Sequence, residues 1–258
     1  MIGLSVIIIT RNEASNIEAC LRSVSFADEV IVLDSGSSDA TPTLARDLGA
    51  TVHVTQDWPG FGIQKNRALA LAHQPWVLSL DADERVSPKL ASLIQQAMRT
   101  GSAAGFEIPR LTQFCGQWIH HCGWTPDYVT RLFKREAACF SDDLVHERVQ
   151  ISAPVGRLSE PLLHYSYPTP SHYWRKLDSY SQAWAQQRFE RGQTTSMSRA
   201  ALSGVVAFIR SYVLRLGFLD GAMGFAVCSM QAQATFGKYF ALYCLNQKND
   251  ISPSSPSA

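Results

Sequence analysis

Residues 5–13 read SVIIITRNE, and this stretch decides the fold. Residues 5–10 are dominated by β-branched side chains, which is typical of a strand buried on both faces of a parallel sheet. Polar residues 10–13 follow at once, where the strand ends. The stretch therefore predicts the first strand of an α/β protein, with a ligand site beyond its carboxyl end.

Strand and helix patterns alternate after this stretch. Further strands are predicted at residues 29–33, 51–54 and 76–80, with helices between them and a helix opening at residues 87–88. Parallel strands joined by helices imply right-handed crossovers. We therefore expect an α/β fold with a mostly parallel sheet flanked by helices.

The rest of the chain divides into two regions that differ in the composition and spacing of their side chains. Residues 105–163 are rich in aromatic and polar side chains, and from residue 171 onward the spacing of apolar side chains is helical. We expect a catalytic domain over residues 1–165, a C-terminal helical extension over residues 166–250 and a disordered tail over residues 251–258.

Composition excludes several classes of protein. The 258 residues are 46% hydrophobic and carry a net charge of +1, so the chain can bury a core and lacks the basic excess of a nucleic-acid binder. Six scattered cysteines and the absence of a signal-peptide pattern predict a reduced, cytoplasmic protein. No uninterrupted apolar run reaches 18 residues, so no spanning helix is expected.

Three polar clusters follow predicted parallel strands, at residues 10–13, 34–37 and 81–83. Since the carboxyl ends of such strands meet at one edge, we expect a shared ligand site. The glycine signatures that cradle a diphosphate are missing. The Asp81-Ala82-Asp83 triplet offers another solution, in which carboxylates hold a divalent cation and the cation holds the diphosphate. The alternative for the triplet alone is a solvated turn.

SVIIITRNE, VLDSGSSDAT (32–41) and SLDADE (79–84) resemble the inverting family 2 glycosyltransferases of the GT-A fold. Four later stretches extend the likeness to the lipopolysaccharide inner-core β-glucosyltransferases of the WaaE/KdtX type. They are WTPDYVTRLF (124–133), DDLVHE (142–147), LLHYSY (162–167) and FLDGAMGF (218–225). The resemblance implies a Rossmann-like GT-A sheet and transfer of a hexose from a UDP-sugar.

The resemblance also implies roles for single residues. Those implied for donor binding are Thr10, Asn12, Glu13, Asp34, Lys65 and Asp81. Asp83 would be the direct ligand of a divalent cation, Mg²⁺ or Mn²⁺, with Asp81 near it and His146 as a third ligand. One departure is Ser35, where many family members carry a second acidic residue.

Inverting transfer needs a base for the acceptor hydroxyl and a cation for the departing diphosphate. The base should come from beyond the nucleotide-binding half, where Asp142, Asp143 and Glu147 are the candidates. We favour Glu147, with Asp143 second; the alternative is a solvated loop with an ion pair to Arg148.

The acceptor site is predicted from three residues. Trp124 can stack on a sugar face, and Asp127 and Arg131 can bind its hydroxyl groups. In the alternative, Asp127 and Arg131 pair with each other and hold the loop.

The back of the chain suggests a membrane partner. Residues 160–258 hold nine basic and five acidic residues, and residues 221–237 contain no charged side chain. We expect this helical region to lie peripherally on an anionic bilayer, at the inner face of the bacterial inner membrane. The alternative is ordinary core packing.

Together these features predict an inverting transferase that moves glucose from UDP-glucose to a heptose of lipid A–core. Three alternatives stay open. The first is the same chemistry on another lipid-linked or capsule acceptor, and the second is a sugar-phosphate nucleotidyltransferase. The third is a non-catalytic module that binds sugar nucleotides.

Overall fold

The structure is a computed structural model that describes residues 2–141 and 148–251. Its strands are β1 (Leu4–Thr10), β2 (Glu29–Asp34), β3 (Thr51–Val54), β4 (Trp76–Asp81), β5 (Glu84–Arg85), β6 (Gly105–Phe114), β7 (Gln117–Ile119), β8 (Asp127–Lys134), β9 (Ala138–Phe140), β10 (Val149–Ile151), β11 (Val155–Arg157) and β12 (Leu162–Tyr167). Its helices are α1 (Ile17–Ser23), α2 (Thr41–Asp47), α3 (Phe61–Ala70), α4 (Pro88–Thr100), α5 (Pro170–Glu190), α6 (Met197–Ile209) and α7 (Gly221–Ile251). A 3₁₀ turn covers Arg135–Ala137, a π turn Arg210–Leu214 and a second 3₁₀ turn Gly217–Asp220.

The chain divides into two compact units. The first comprises Met1–Leu111 and Pro126–Tyr165, and the second comprises Thr112–Thr125 and Ser166–Ala258. The sequence-based boundary at residue 165 places Thr112–Thr125 in the first domain, whereas in the structure these residues belong to the second unit.

The first unit is built on a mixed sheet in the order β3-β2-β1-β4-β8-β6-β12-β5. Strands β3, β2, β1 and β4 are parallel, and β8 and β6 continue the sheet antiparallel to their neighbours. The predicted α/β fold is confirmed. The strands predicted from the sequence, β1, β2, β3 and β4, form the parallel half of its sheet.

Strand β1 shows why the parallel half lies at the centre. All seven of its residues are buried. Val6 and Ile8 belong to one apolar core, while Ile7 and Ile9 belong to a second core. Because successive side chains of a strand point to opposite faces, the β-branched run fills both sides of the sheet.

The second unit is mainly helical, as the sequence indicates. Its core joins β6 and β7 residues to α5 and α7, and consists of Phe114, Ile119, Cys122, Tyr173, Val227, Cys228 and Met230. Within the described residues, one segment, Met197–Leu214, has the length and composition of a membrane-crossing helix. The sequence prediction excluded such a segment because it considered only apolar runs uninterrupted by charge, and Arg199 and Arg210 lie inside this one.

Candidate functional site

The three predicted polar clusters meet at one edge of the sheet. In the parallel register, Thr10 of β1 lies beside Asp34 of β2, and Ile9 of β1 lies beside Asp81 of β4. The carboxyl ends of the three strands are therefore neighbours, as the sequence predicts from their order.

Asp34 organises the loop that follows β2. Its carboxylate is buried and accepts hydrogen bonds from Thr10 Oγ1 (2.8 Å), Ser37 N (2.8 Å) and Ser37 Oγ (2.5 Å). Both oxygens are thus used within the protein, and this fixes the path of the loop after β2. The serine in place of a second acid, Ser35, is buried and accepts from Gln64 Nε2 at 2.9 Å.

Asn12 connects the loop after β1 to the loop after β2. It adopts a left-handed backbone conformation with φ of 58°, which asparagine tolerates better than most residues. Its backbone N–H donates to Ser37 Oγ (2.7 Å), and its Oδ1 accepts from Ser38 N (2.8 Å). Glu13 continues the same loop, with its N–H donating to Thr41 Oγ1 at 2.8 Å. The residues predicted for nucleoside binding therefore form one cross-linked pair of loops.

Four charged side chains form a network at the end of β4. Asp81 lies between two cations: Lys65 Nζ of α3 is 3.1 Å from Oδ1, and Arg131 Nη2 of β8 donates to Oδ2. The same Arg131 nitrogen donates to Glu84 Oε1 at 2.6 Å, and Glu84 Oε2 accepts from Asp81 N at 3.0 Å. The side chains of Lys65, Arg131 and Glu84 are 4%, 7% and 0% exposed, whereas that of Asp81 is 33% exposed, so three members of the network are buried and Asp81 faces solvent.

Asp81 is held as a carboxylate. Burial by itself would raise its pKa, but the positive charges of Arg131 and Lys65 and their hydrogen bonds hold the pKa well below the usual range. In the same way, burial opposes the charge on Arg131, while Asp81 and Glu84 more than offset it and raise the pKa of the guanidinium. Two anions and two cations thus balance inside this edge of the protein.

Asp83 has a different partner. Its Oδ2 lies 3.3 Å from His164 Nε2, and its carbonyl accepts from Tyr165 N at 2.8 Å. The contact arises because β12 pairs antiparallel with β5, which places His164 opposite Glu84. One carboxylate and one imidazole are therefore side by side at the predicted ligand edge.

A divalent cation fits Asp83 and His164 by the chemistry of the donor set. Carboxylate oxygen and imidazole nitrogen suit Mn²⁺, whereas Mg²⁺ prefers oxygen ligands. Within residues 2–141 and 148–251, no group of three or more His, Cys, Asp or Glu side chains is arranged to hold a metal ion. The remaining ligands would come from a diphosphate, from water or from residues outside the described ranges.

The predicted acceptor residues do not act as a pair. Asp127 binds Arg110, whose Nε donates to Oδ2 at 2.9 Å, while Arg131 binds Asp81 and Glu84. The alternative in which Asp127 pairs with Arg131 is therefore wrong, because each has a nearer partner of opposite charge. Trp124 belongs to the second unit, where its ring stacks 6.2 Å from that of Tyr173.

Four predicted residues lie in the segment 142–147. The preferred base Glu147, the second candidate Asp143 and the proposed ligand His146 lie outside the described residues, as does Asp142. Their roles stay predictions.

Sequence reasoning missed Glu84 and His164. Glu84 is part of the quoted SLDADE, but its burial under Arg131 depends on β8 lying beside β4. His164 is part of LLHYSY, and only the pairing of β12 with β5 brings it to Asp83. A usable signal was present, since a histidine inside a strand-like apolar stretch needs a polar partner.

Comparisons with known proteins agree with this geometry. Residues 5–138 match the family model described as glycosyl transferase family 2. An uncharacterized glycosyltransferase of Rickettsia bellii is 30% identical over 246 residues, which is 90% of this chain and 83% of the relative. The lipopolysaccharide core biosynthesis glycosyltransferase LpsC of Rhizobium meliloti is 28% identical over 263 residues, 96% of each chain.

Among solved structures, S. aureus TarS 1–349 in complex with UDP superposes with a TM-score of 0.50 at 14% identity, covering 99% of this chain and 94% of that one. This likeness concerns the fold, which is of the GT-A type. The matched model covers more than half of the chain and spans all three polar clusters of the sheet edge. The chain therefore belongs to glycosyl transferase family 2.

Proposed function

We propose that the protein is an inverting hexosyltransferase that moves glucose from UDP-glucose to a heptose of the lipopolysaccharide inner core. The observation that supports binding of a UDP-sugar donor is the pair of aspartates at the end of β4. Asp81 is fixed between Lys65 and Arg131, and Asp83 lies beside His164. The acceptor is supported by the likeness of the whole chain to LpsC, whose name places it in lipopolysaccharide core biosynthesis.

In this proposal, residues of this chain bind both the nucleoside and the diphosphate of the donor. The loops of Thr10, Asn12, Glu13 and Asp34 form the wall for the nucleoside, and Lys65 supplies positive charge next to the diphosphate. Asp83 and His164 would hold the divalent cation, which neutralises charge on the leaving diphosphate when bound. Since Lys65 is already fixed by Asp81, little reorganisation of its charge is needed on donor binding.

Transfer is a single displacement at the anomeric carbon. The acceptor oxygen forms a bond to that carbon while the bond to the diphosphate oxygen breaks, and the acceptor proton goes to a base. Glu147 is our first candidate for the base, and Asp143 is the second. Trp124, Asp127 and Arg131 are proposed to contribute to acceptor binding, although Arg131 also binds Asp81 and Glu84.

The proposed roles follow the sequence-based division of the chain. Residues 1–165 bind the donor and carry out transfer, while residues 166–250 keep the enzyme at the cytoplasmic face of the inner membrane, near its lipid-anchored acceptor. The net charge of +4 over residues 160–258, from nine basic and five acidic residues, favours an anionic lipid surface.

The decisive experiment incubates the purified protein with several UDP-sugars and truncated lipopolysaccharide, with and without EDTA, and follows the mass of the product. A gain of one hexose that depends on UDP-glucose and is abolished by EDTA is expected. Modification of a polyprenyl-linked or capsule acceptor, and not of lipopolysaccharide, would replace the proposed acceptor. Release of pyrophosphate from UTP would indicate a nucleotidyltransferase instead.

Two variants separate the roles. Asp83→Asn should weaken both Mn²⁺ and UDP-glucose binding, measured by calorimetry, whereas Asp47→Asn, at an exposed position ending α2, should leave both unchanged. Glu147→Gln should leave donor affinity intact and lower turnover by about 100-fold or more. Near-normal turnover in Glu147→Gln would remove it from the role of base.

A further inference from the structure

The outward side of α6 and of the turns after it exposes large apolar side chains. Along the helix and its π turn they recur at the spacing of one helical face, and the following turn and the start of α7 extend them. Leu202 and Leu214 are 63% and 71% exposed. We define the apolar face as Leu202, Val205, Val206, Ile209, Val213, Leu214, Leu216, Phe218, Leu219 and Phe225.

The members after α6 lie beside the helical ones. The rings of Phe218 and Phe225 are centred 6.2 Å and 5.8 Å from the ring of Tyr212 in the π turn. Phe225 is also 5.8 Å from Phe208 of α6. The turn and the first residues of α7 therefore belong to the same surface region as α6.

The opposite side of α6 is already packed. Ala200 and Gly204 are buried, and a Cβ at Gly204 would lie 3.1 Å from Phe236 Cβ and 3.2 Å from the carbonyl oxygen of Ala232, both on α7. Through this contact the buried side of α6 packs against α7. The apolar face is thus additional to the core, and contiguous exposed apolar surface of this kind marks an interaction site.

The charges around the apolar face are all positive. Between Met197 and Leu219 the chain has no Asp or Glu, and its charged residues are the exposed Arg199, Arg210 and Arg215. The next acid, Asp220, is turned inward, where it accepts from His121 N and contacts His121 Nδ1, both at 2.8 Å. A surface that combines apolar side chains with unopposed arginines complements an anionic lipid headgroup region.

We propose that the apolar face lies in the headgroup–acyl boundary of an anionic bilayer, with α6 parallel to the membrane plane and its arginines at lipid phosphates. Met197–Leu214 is also long enough to cross a bilayer. A crossing, however, would place Arg210 at hydrocarbon depth, whereas the in-plane arrangement leaves its side chain at the headgroups. The inference rests on the proposed function only for the reason why the protein binds a membrane, which is access to a lipid-anchored acceptor.

The test is sedimentation of the full chain with vesicles of phosphatidylglycerol and phosphatidylethanolamine, and with vesicles of phosphatidylcholine. Val206→Ser/Ile209→Ser should lower the partition coefficient at least about tenfold for anionic vesicles. Arg210→Gln/Arg215→Gln should weaken binding to anionic vesicles alone and reduce its salt dependence. Val155→Ser, which changes an exposed valine of the first unit, is the matched control for Val206→Ser and should bind normally. Far-UV circular dichroism verifies that each variant is folded.

Three results would overturn the inference. One is equal binding by the wild type and the apolar double variant. Another is a lipid-free mass of twice 28.5 kDa that falls to one chain in that variant, which would make the face an interface between copies. The third is resistance of the bound protein to alkaline carbonate extraction, which would indicate a spanning helix. Transfer measured with a detergent-solubilised acceptor is independent of vesicle binding, so failure of the proposed function is distinguishable from failure of this inference.

Discussion

Replacing Glu84 by glutamine tests the charge network at the end of β4. The network contains Lys65 and Arg131 against Asp81 and Glu84, so its buried charges sum to zero. Glu84→Gln keeps the size of the side chain but leaves one buried positive charge in excess. Since Glu84 is fully buried and 2.6 Å from Arg131, we expect a loss of about 3–5 kcal/mol in the free energy of unfolding.

An exposed ion pair of the same unit provides the control. Asp127 binds Arg110, but its side chain is 46% exposed, so water replaces much of what the pair contributes. Asp127→Asn should therefore cost about 1 kcal/mol or less. The two substitutions are chemically alike and differ mainly in burial, although Arg110 Nη1, whose guanidinium binds Asp127, also lies 3.9 Å from Glu84 Oε1.

A double variant makes the reasoning sharper. Arg131→Met alone leaves an excess of buried negative charge, whereas Glu84→Gln/Arg131→Met leaves Lys65 opposite Asp81 and restores balance. The double variant should thus be more stable than the sum of the two single effects predicts, by about 2 kcal/mol or more.

The assay is urea unfolding followed by circular dichroism, with hydrogen exchange of the β1 and β4 amides to assign the transition to the first unit. This assignment is needed because a chain of two units need not unfold in one step. A loss below about 1 kcal/mol in Glu84→Gln, or strict additivity in the double variant, would refute the balanced-network reasoning.

Three further predictions concern other parts of the molecule. Because the pKa of Asp81 is held below its ordinary value of 3.8, the stability that its ionised form contributes should be complete above about pH 5 and lost on further acidification; Asp81→Asn should flatten this acid slope in urea titrations. Gly204→Ala should destabilise by about 1–3 kcal/mol, because α7 atoms lie 3.1–3.2 Å from the new Cβ, while Gly237→Ala, with open space, should stabilise the helix by about 0.5–1 kcal/mol in thermal unfolding. Cys139 is exposed and should react rapidly with a maleimide at neutral pH, whereas burial raises the pKa of Cys20 to about 12 and should protect it; mass spectrometry of the labelled peptides decides.

The parallel half of the sheet could be predicted because its signals are local. The β-branched run of β1 identifies a strand covered on both faces, and the order of strands and helices implies a shared carboxyl edge. Likewise, Ser87-Pro88 opens α4 as expected, with Ser87 Oγ accepting from Leu90 N.

The antiparallel half was harder because its pairing is long-range. Strand β6 passes through a proline, a residue that cannot donate to a sheet ladder. It continues through Pro109, which lies opposite Tyr128 of β8, as far as Phe114. The same pairings carry Arg131 and His164 to the aspartates of β4, and nothing in the local pattern of either strand specifies those neighbours.

The structure also bears on where the catalytic base is found. Asp34 already accepts three hydrogen bonds, Asp81 is held ionised by two cations, and Glu84 is buried against Arg131. The carboxylate of Asp81 is a weak base, because protonation would sacrifice its interactions with Arg131 and Lys65. Asp34 thus fixes the loop after β2 and Asp81 is held as an anion at the end of β4. The proposed base stays among the acids of residues 142–147, which is a prediction.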